Sequence, residues 1–87
     1  MNMKEVKDLK DTAEMMTSED YKERFRAEYA QVGIRRQKLA AMLEKWDKGE
    51  LNFIPTCPRR TYDMQIAAMT DYIAVLEARA VMEGIVL

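Results

Sequence analysis

Two runs of residues, spaced alternately by three and four positions, constrain the fold of this chain more than any other feature. The first run is apolar except for one arginine and consists of Phe25, Tyr29, Val32, Arg36, Leu39, Leu43 and Trp46. The second run consists of Tyr62, Ile66, Met69, Ile73, Leu76 and Ala80. This spacing lines up each run along one face of an α-helix, as in a coiled coil. The sequence therefore predicts two long helices that pack along these seams.

Local signals mark where the two helices begin and end. Thr17 or Ser18 is the expected N-cap of the first helix, because a side-chain oxygen there accepts from the first turn. Gly49 is expected just past its C-terminus. The second helix is expected to begin near residues 56–57, with the following proline in its first turn, and to stop at Gly84.

The connector between the helices is short, so the expected fold class is all-α, an antiparallel two-helix hairpin. Residues 17–87 form this helical hairpin domain. Residues 1–16 carry a thinner helical stripe and are assigned as an accessory N-terminal helix or arm. The members of that stripe are Met3, Val6, Leu9, Ala13 and Met16.

A second apolar stripe lies beside the seam of the second helix. It consists of Ala68, Tyr72, Val75, Arg79 and Met82. A two-helix hairpin would leave this stripe in water, so we expect it to pack against another copy of the chain or against the N-terminal arm. At 87 residues a single core is only marginally stable alone. The prediction is a homo-oligomeric helical bundle, a dimer or tetramer, with this stripe as its interface.

The residue types present argue against an enzyme. The chain has no histidine, which removes the Ser-His, Cys-His and carboxylate–histidine arrangements of nucleophilic and metal sites. Cys57 has no general base beside it. We therefore expect no catalytic residue, no metal and no cofactor.

Charge and hydropathy limit the partners and the compartment. Fourteen Lys and Arg residues nearly balance fifteen Asp and Glu residues, and the formal net charge of -1 argues against a nucleic-acid partner. No apolar run approaches the ~20 residues that span a bilayer, so no membrane partner is expected. A single cysteine suits a reducing cytoplasm.

Two adjacent arginines open the second helix and oppose its dipole. Cations repel the positive N-terminal end of a helix, so Arg59 and Arg60 need a compensating anion. One explanation is a bound phosphate, because free backbone N–H groups and arginines together bind anions. The other is an intersubunit salt bridge to Glu44, Asp47 or Glu50.

A third arginine occupies a seam position of the first helix. Arg36 either forms a salt bridge or reaches the edge of the seam, or else it joins Arg35 in a phosphate clamp. The apolar connector suggests a lid for a base, and Tyr62 and Gln65 offer a stacking face and a base-edge reader. The expected ligand-binding residues are Arg36, Phe53, Thr56, Arg59, Arg60, Tyr62 and Gln65.

The stretches "YAQVGIRRQKLAAMLEKW" and "YDMQIAAMTDYIAVLEARA" resemble a family of short helical-hairpin proteins of tailed phages, including crAss-like phages, and of prophages. The resemblance covers residues 20–82 and is carried by a Lys-Leu pair at 38–39 and by a later series. That series is Gln65, Met69, Tyr72, Leu76 and Arg79. The resemblance implies phage origin, an early-infection setting in the host cytoplasm and no enzymatic role.

Small phage proteins of this kind include oligomeric sponges for the cyclic nucleotides that signal infection. Together with the expected anion site, this gives the leading hypothesis: counter-defence by sequestering a phosphate-bearing small ligand, such as a cyclic nucleotide immune signal, in intersubunit pockets without turnover. The alternative is a non-enzymatic phage protein that inhibits a host protein through its apolar helical face. A third hypothesis is a minor structural or DNA-associated phage protein.

Overall fold

The computed structural model describes residues 6–87, and these form helices and no strand. The expected arm residue Met3 lies outside the described part of the chain. A 3-10 helix at Leu9–Thr12 leads into α1 (Ala13–Met16), and the two long helices are α2 (Tyr21–Asp47) and α3 (Arg59–Glu83). The prediction of an all-α chain is confirmed. No helix among the described residues is both long enough and apolar enough to cross a bilayer.

The two long helices run antiparallel, as the contacts at both ends show. At the closed end, the rings of Trp46 and Tyr62 meet with their centroids 6.0 Å apart. At the open end, the Tyr21 hydroxyl donates to the Glu83 carboxylate at 2.7 Å. The predicted hairpin is therefore the arrangement of α2 and α3, and its closed end is formed by the connector.

The core of the hairpin lies in the predicted seams. Phe25 of α2 and Leu76 and Ala80 of α3 form one buried cluster, against which Tyr29 packs. Ile85 completes this cluster although it follows the helix. Burial of these side chains is the main stabilising contribution, because apolar area removed from water is the dominant favourable term in folding.

A glycine with positive φ follows the last residues of each long helix. Gly84 has φ 69°, and the next N–H, that of Ile85, donates to the Ala80 carbonyl at 2.8 Å. This left-handed turn folds Ile85 back onto the core. Gly49 likewise has φ 71°. Both predicted stops are confirmed, while the inward turn of Ile85 has no counterpart in the heptad pattern.

The N-cap of α2 differs from the prediction. The cap is Asp20, whose side chain accepts from the Lys22 N–H at 3.0 Å. Thr17 instead ends α1, and Ser18 accepts the Asp20 N–H at 3.1 Å. The prediction of Thr17 or Ser18 was wrong because Asp20 immediately precedes the first helical residue, from which its carboxylate reaches the first turn.

The N-terminal arm packs on α2 and makes no helix-to-helix contact with α3 within the described residues. Thr12 and Met15 are buried, and Gln31 of α2 donates to the Thr12 hydroxyl at 3.2 Å. The described part of the arm, residues 6–16, therefore does not cover the second stripe of α3.

The second stripe itself divides into two groups. Tyr72 donates to Glu28 across the hairpin, and Arg79 lies over the Phe25 ring with its guanidinium carbon 5.0 Å from the centroid. These two side chains are thus engaged within one chain. Ala68, Val75 and Met82 are exposed.

Three tyrosine–glutamate hydrogen bonds join α2 to α3 along the hairpin. The pairs are Tyr21–Glu83, Tyr29–Glu77 and Tyr72–Glu28. Burial, and then the hydrogen bond to Glu77, raise the pKa of Tyr29 above its usual value of 10.0. The hairpin thus favours the neutral form of this phenol.

This preference predicts a loss of stability in alkali. In the unfolded chain Tyr29 ionises at about pH 10, whereas in the folded chain it ionises at a higher pH. The stability that neutral Tyr29 contributes is therefore fully present below about pH 10 and is lost as pH rises through the folded pKa. We expect the free energy of unfolding of the wild type to fall more steeply between about pH 9 and pH 11 than that of Tyr29→Phe. Urea unfolding followed by circular dichroism measures both. Identical slopes for the two proteins would contradict the assignment.

Candidate functional site

The start of α3 has no side-chain cap among the described residues. Pro58 occupies the N-cap position with ψ 150°, and it brings neither an N–H group nor a side-chain oxygen. The helix begins at Arg59, two to three residues after the predicted start at residues 56–57. The extended ψ of Pro58 keeps this residue out of the first turn. Free N–H groups at such an end, with the helix dipole, favour an anion.

Arg59 is held by two carboxylates of its own chain. Its Nη1 and Nη2 groups donate to the two oxygens of Asp47 at 2.5 and 3.3 Å, and its Nε donates to Asp63 at 3.0 Å. Its guanidinium carbon also lies 5.4 Å from the centroid of the Trp46 ring. All three nitrogens of the group are therefore engaged at the closed end of the hairpin.

The charges of this cluster support each other. The hydrogen bonds that Arg59 donates to Asp47 and Asp63 raise its pKa, and the same guanidinium lowers the pKa of Asp47. Of the two explanations for this arginine, the structure shows a salt bridge, and its partner Asp47 lies in the same chain rather than in another subunit. Asp63, one turn into α3, was not among the expected partners.

Arg60 has no comparable partner. Its side chain is exposed, and it makes no ion pair with the described residues. Positions 60 and 62 lie about 200° apart around a helix of 3.6 residues per turn, so Arg60 and the half-buried Tyr62 face different sides. Gln65 and Thr56 are exposed as well.

Arg36 lies far from this end of the hairpin. Eleven residues of helix separate it from Asp47, which corresponds to about 16 Å along the axis. Its Nε donates to the Thr70 hydroxyl of α3 at 2.8 Å, and it is half-buried at the seam edge. The structure thus does not gather all seven expected ligand residues into one pocket of a single chain. Their binding role stays a prediction.

Two open grooves flank the connector, and neither is deep. The tip groove, of about 390 Å³, is lined by Trp46, Leu51, Phe53, Ile54, Cys57 and Arg59, among others. The lysine groove, of about 380 Å³, is lined by Lys38, Met42, Lys45, Glu50, Asn52 and Phe53, among others. Both volumes lie within the range of small-ligand sites. Phe53, an expected ligand residue, is half exposed and borders both grooves.

Lys45 and Asn52, which line the lysine groove, were not among the expected ligand residues. The available signal was the seven-residue spacing of Lys38 and Lys45, which places both on one face of α2. Neither Lys45 nor Asn52 indicates a metal site. Within residues 6–87, no three His, Cys, Asp or Glu side chains come together as a metal site.

Comparison with known proteins gives one family. A family model described as Sequestin matches residues 19–82, which is most of the hairpin. No significant match was found among the curated proteins or the solved structures.

The cluster around Arg59 predicts that this arginine stabilises the protein without any ligand. Arg59→Ala should lower the free energy of unfolding modestly, because it removes the contacts to Asp47, Asp63 and the Trp46 ring while water screens the ion pairs. Arg60→Ala, the matched control, should leave stability within about 0.5 kcal/mol of the wild type. Urea unfolding measures both, and a double-mutant cycle with Asp47→Ala isolates the pair. Equal effects of the two arginine variants would contradict this role.

Proposed function

The chain belongs to the Sequestin family, and from this premise we propose that it is a counter-defence protein that binds and sequesters a phosphate-bearing small ligand. The ligand class proposed is a cyclic nucleotide that signals infection. The name of the family indicates a sequestering role, which requires tight binding and no turnover. A chain without histidine suits binding better than acid–base catalysis, and we propose no enzymatic activity.

The observation that carries the ligand class is the start of α3. An uncapped helix N-terminus lies beside Arg60, an exposed arginine that has no ion-pair partner among the described residues. Together they offer N–H donors, a helix dipole and a guanidinium to one anion. Arg59 is the strut that holds this end of α3 on α2.

The tip groove provides a place for the rest of such a ligand. Trp46 and Phe53 border it, and Leu51 and Ile54 add apolar wall. Ile54 is 91% exposed, so the connector carries apolar surface that no other described residue covers. Aromatic faces and apolar walls suit a nucleobase, whose stacking on aromatic side chains is favourable.

The infection setting rests on the resemblance to tailed-phage hairpin proteins. We place the protein in the cytoplasm of the infected host, where a nucleotide signal would be met. A single cysteine suits that reducing compartment.

Self-association is part of the proposal. Val75 and Met82 are 56% and 76% exposed, and Ala68 between them and the connector is exposed too. Met64 extends the same face toward the connector with 62% of its side chain in water. Exposed apolar side chains gathered on one face of a helix are typical of an interface, and a second copy would also narrow the open grooves into intersubunit pockets.

The same exposed face supports a second candidate function. An apolar helical face docks on protein grooves through residues spaced by three, four and seven positions. Ala68, Val75 and Met82 have this spacing. In this alternative, the protein inhibits a host protein and binds no nucleotide.

Thermal unfolding against cyclic AMP, cyclic GMP, cyclic di-AMP and cyclic di-GMP tests the leading proposal. A ligand that binds only the native state raises the melting temperature, so at least one nucleotide should do so. Arg60→Ala should weaken that binding by about 1.5 to 3 kcal/mol, the scale of hydrogen bonds to charged groups. Lys22→Ala removes an exposed cation of α2 at the open end of the hairpin and is the control for lost charge.

The emission of Trp46, the single tryptophan, gives a second measurement for the same proposal. Nucleotide bound in the tip groove should change this emission. If no nucleotide moves either the melting temperature or the emission, the sponge is rejected in favour of the protein inhibitor.

The oligomer is tested by light scattering at micromolar concentration. The wild type should have the mass of a dimer or tetramer, and Val75→Asp should reduce it toward the monomer because a buried unpaired carboxylate is costly. Asp replaces an exposed side chain, so circular dichroism should show that the helices remain. Lys22→Asp, at an exposed position of α2, controls for the added acid. A wild type that is monomeric at this concentration would overturn the proposed self-association.

A further inference from the structure

We propose that the lysine groove is a second contact surface for the nucleotide, holding a phosphate between Lys38 and Lys45 and a base against Phe53. This inference rests on the proposed function and extends it to residues of α2 that the start of α3 does not include. The groove is lined by α2 and the connector alone.

The polar side chains of this groove are available to a ligand. Lys45, Glu50 and Asn52 form no side-chain hydrogen bond or ion pair with the described residues. Lys38 reaches only Asp8, at 3.4 Å, and both of these side chains are more than half exposed. An exposed ion pair of this kind is weak because water screens it, so Lys38 can turn to a stronger anion.

This availability distinguishes the lysine groove from the surface around Arg59. There, Asp47 and Asp63 already accept all the short hydrogen bonds of the guanidinium. A phosphate would have to displace both carboxylates to use that arginine. In the lysine groove, Lys45 bonds no carboxylate of the described residues, so a phosphate would not have to displace one.

The shape of the groove suits a ligand with one anionic and one aromatic part. Ala41, Met42 and Leu51 supply apolar wall, and Phe53 is 52% exposed at the connector side. Positions 38 and 45 are about 10.5 Å apart along the helix, and two long side chains from these positions converge on one phosphate. Asn52 and Glu50 then offer donors and acceptors to the edge of a base or to a sugar hydroxyl.

The two contact surfaces adjoin each other. Leu51 and Phe53 border both the lysine groove and the tip groove. A nucleotide with its base on Phe53 can therefore reach toward Lys45 on one side and toward the start of α3 on the other. Such a ligand needs more than one phosphate, or a phosphate and a second polar end, to use both surfaces.

Titration of Lys45→Ala and Lys48→Ala with the four cyclic nucleotides named above tests this inference. Lys48 lies three residues away, bonds Glu44 at 3.0 Å and does not line the groove, so it matches the loss of charge. By calorimetry, Lys45→Ala should weaken the tightest of the four by at least tenfold, the lower limit for a charge-assisted hydrogen bond. Lys48→Ala should bind within about twofold of the wild type.

A pair of connector variants tests the base contact. Phe53→Ala should weaken binding, and Phe53→Tyr should retain it because the aromatic face is kept. The melting temperature without nucleotide should be the same for Lys45→Ala and Lys48→Ala, which shows that both variants fold.

The outcomes separate this inference from the proposed function. If the wild type binds none of the four nucleotides, the proposed function fails, and this inference fails with it. If the wild type binds one of them and Lys45→Ala binds it equally well, the sponge stands and the lysine groove is rejected. Equal weakening by Lys45→Ala and Lys48→Ala would show general electrostatic attraction and would also reject the groove.

Discussion

The contact between α2 and α3 is the interaction on which the rest of the structure depends. It gathers Phe25, Leu76, Ala80 and Ile85 into one buried cluster, to which Tyr29 adds a partly buried ring. A core of this size leaves little excess of hydrophobic stabilisation over chain entropy. The helices therefore need further contacts to hold their register, and these contacts determine which polar side chains stay free.

A polar cluster joins α2 to α3 at each end of the hairpin, and the two clusters are built alike. At the closed end, Arg59 bonds Asp47 and Asp63 beside an aromatic ring. At the open end, Arg79 donates to Glu83 and to the Tyr21 hydroxyl and lies over the ring of Phe25. In both, an arginine packs on an aromatic face and donates hydrogen bonds to at least one carboxylate. Both arginines thus hold α3 on α2, whereas Arg60 and Lys45 form no ion pair with the described residues.

Sequestration places different demands on a small protein than catalysis does. A sponge needs affinity alone, and affinity comes from a few donors and an aromatic surface held in place before binding. The connector supplies such a surface between two helix ends that the Arg59 cluster fixes. Its grooves are open in the single chain, and closure by a second copy along the exposed face of α3 would bury more of a ligand. Self-association and binding would then be coupled through the same hairpin end.

The heptad spacing by itself determined the all-α class, the two long helices and most of the seam, because periodicity reports which face of a helix is apolar. Gly49 and Gly84 marked both helix stops, and the position of Arg59 and Arg60 at a helix start marked a conflict with the helix dipole. Only the tertiary structure decided between them, since the partners of Arg59 come from α2 and from the next turn of α3, while Arg60 is exposed and bonds neither of these carboxylates. The tertiary structure likewise decided that Asp20 caps α2, that Ile85 joins the core and that the arm packs on α2. Lys45 joins Asn52 and Phe53 in one groove only because Gly49, with its positive φ, turns the connector back along α2. Contacts between distant residues of this kind depend on the path of the chain in space, which the spacing of residues along one helix does not report.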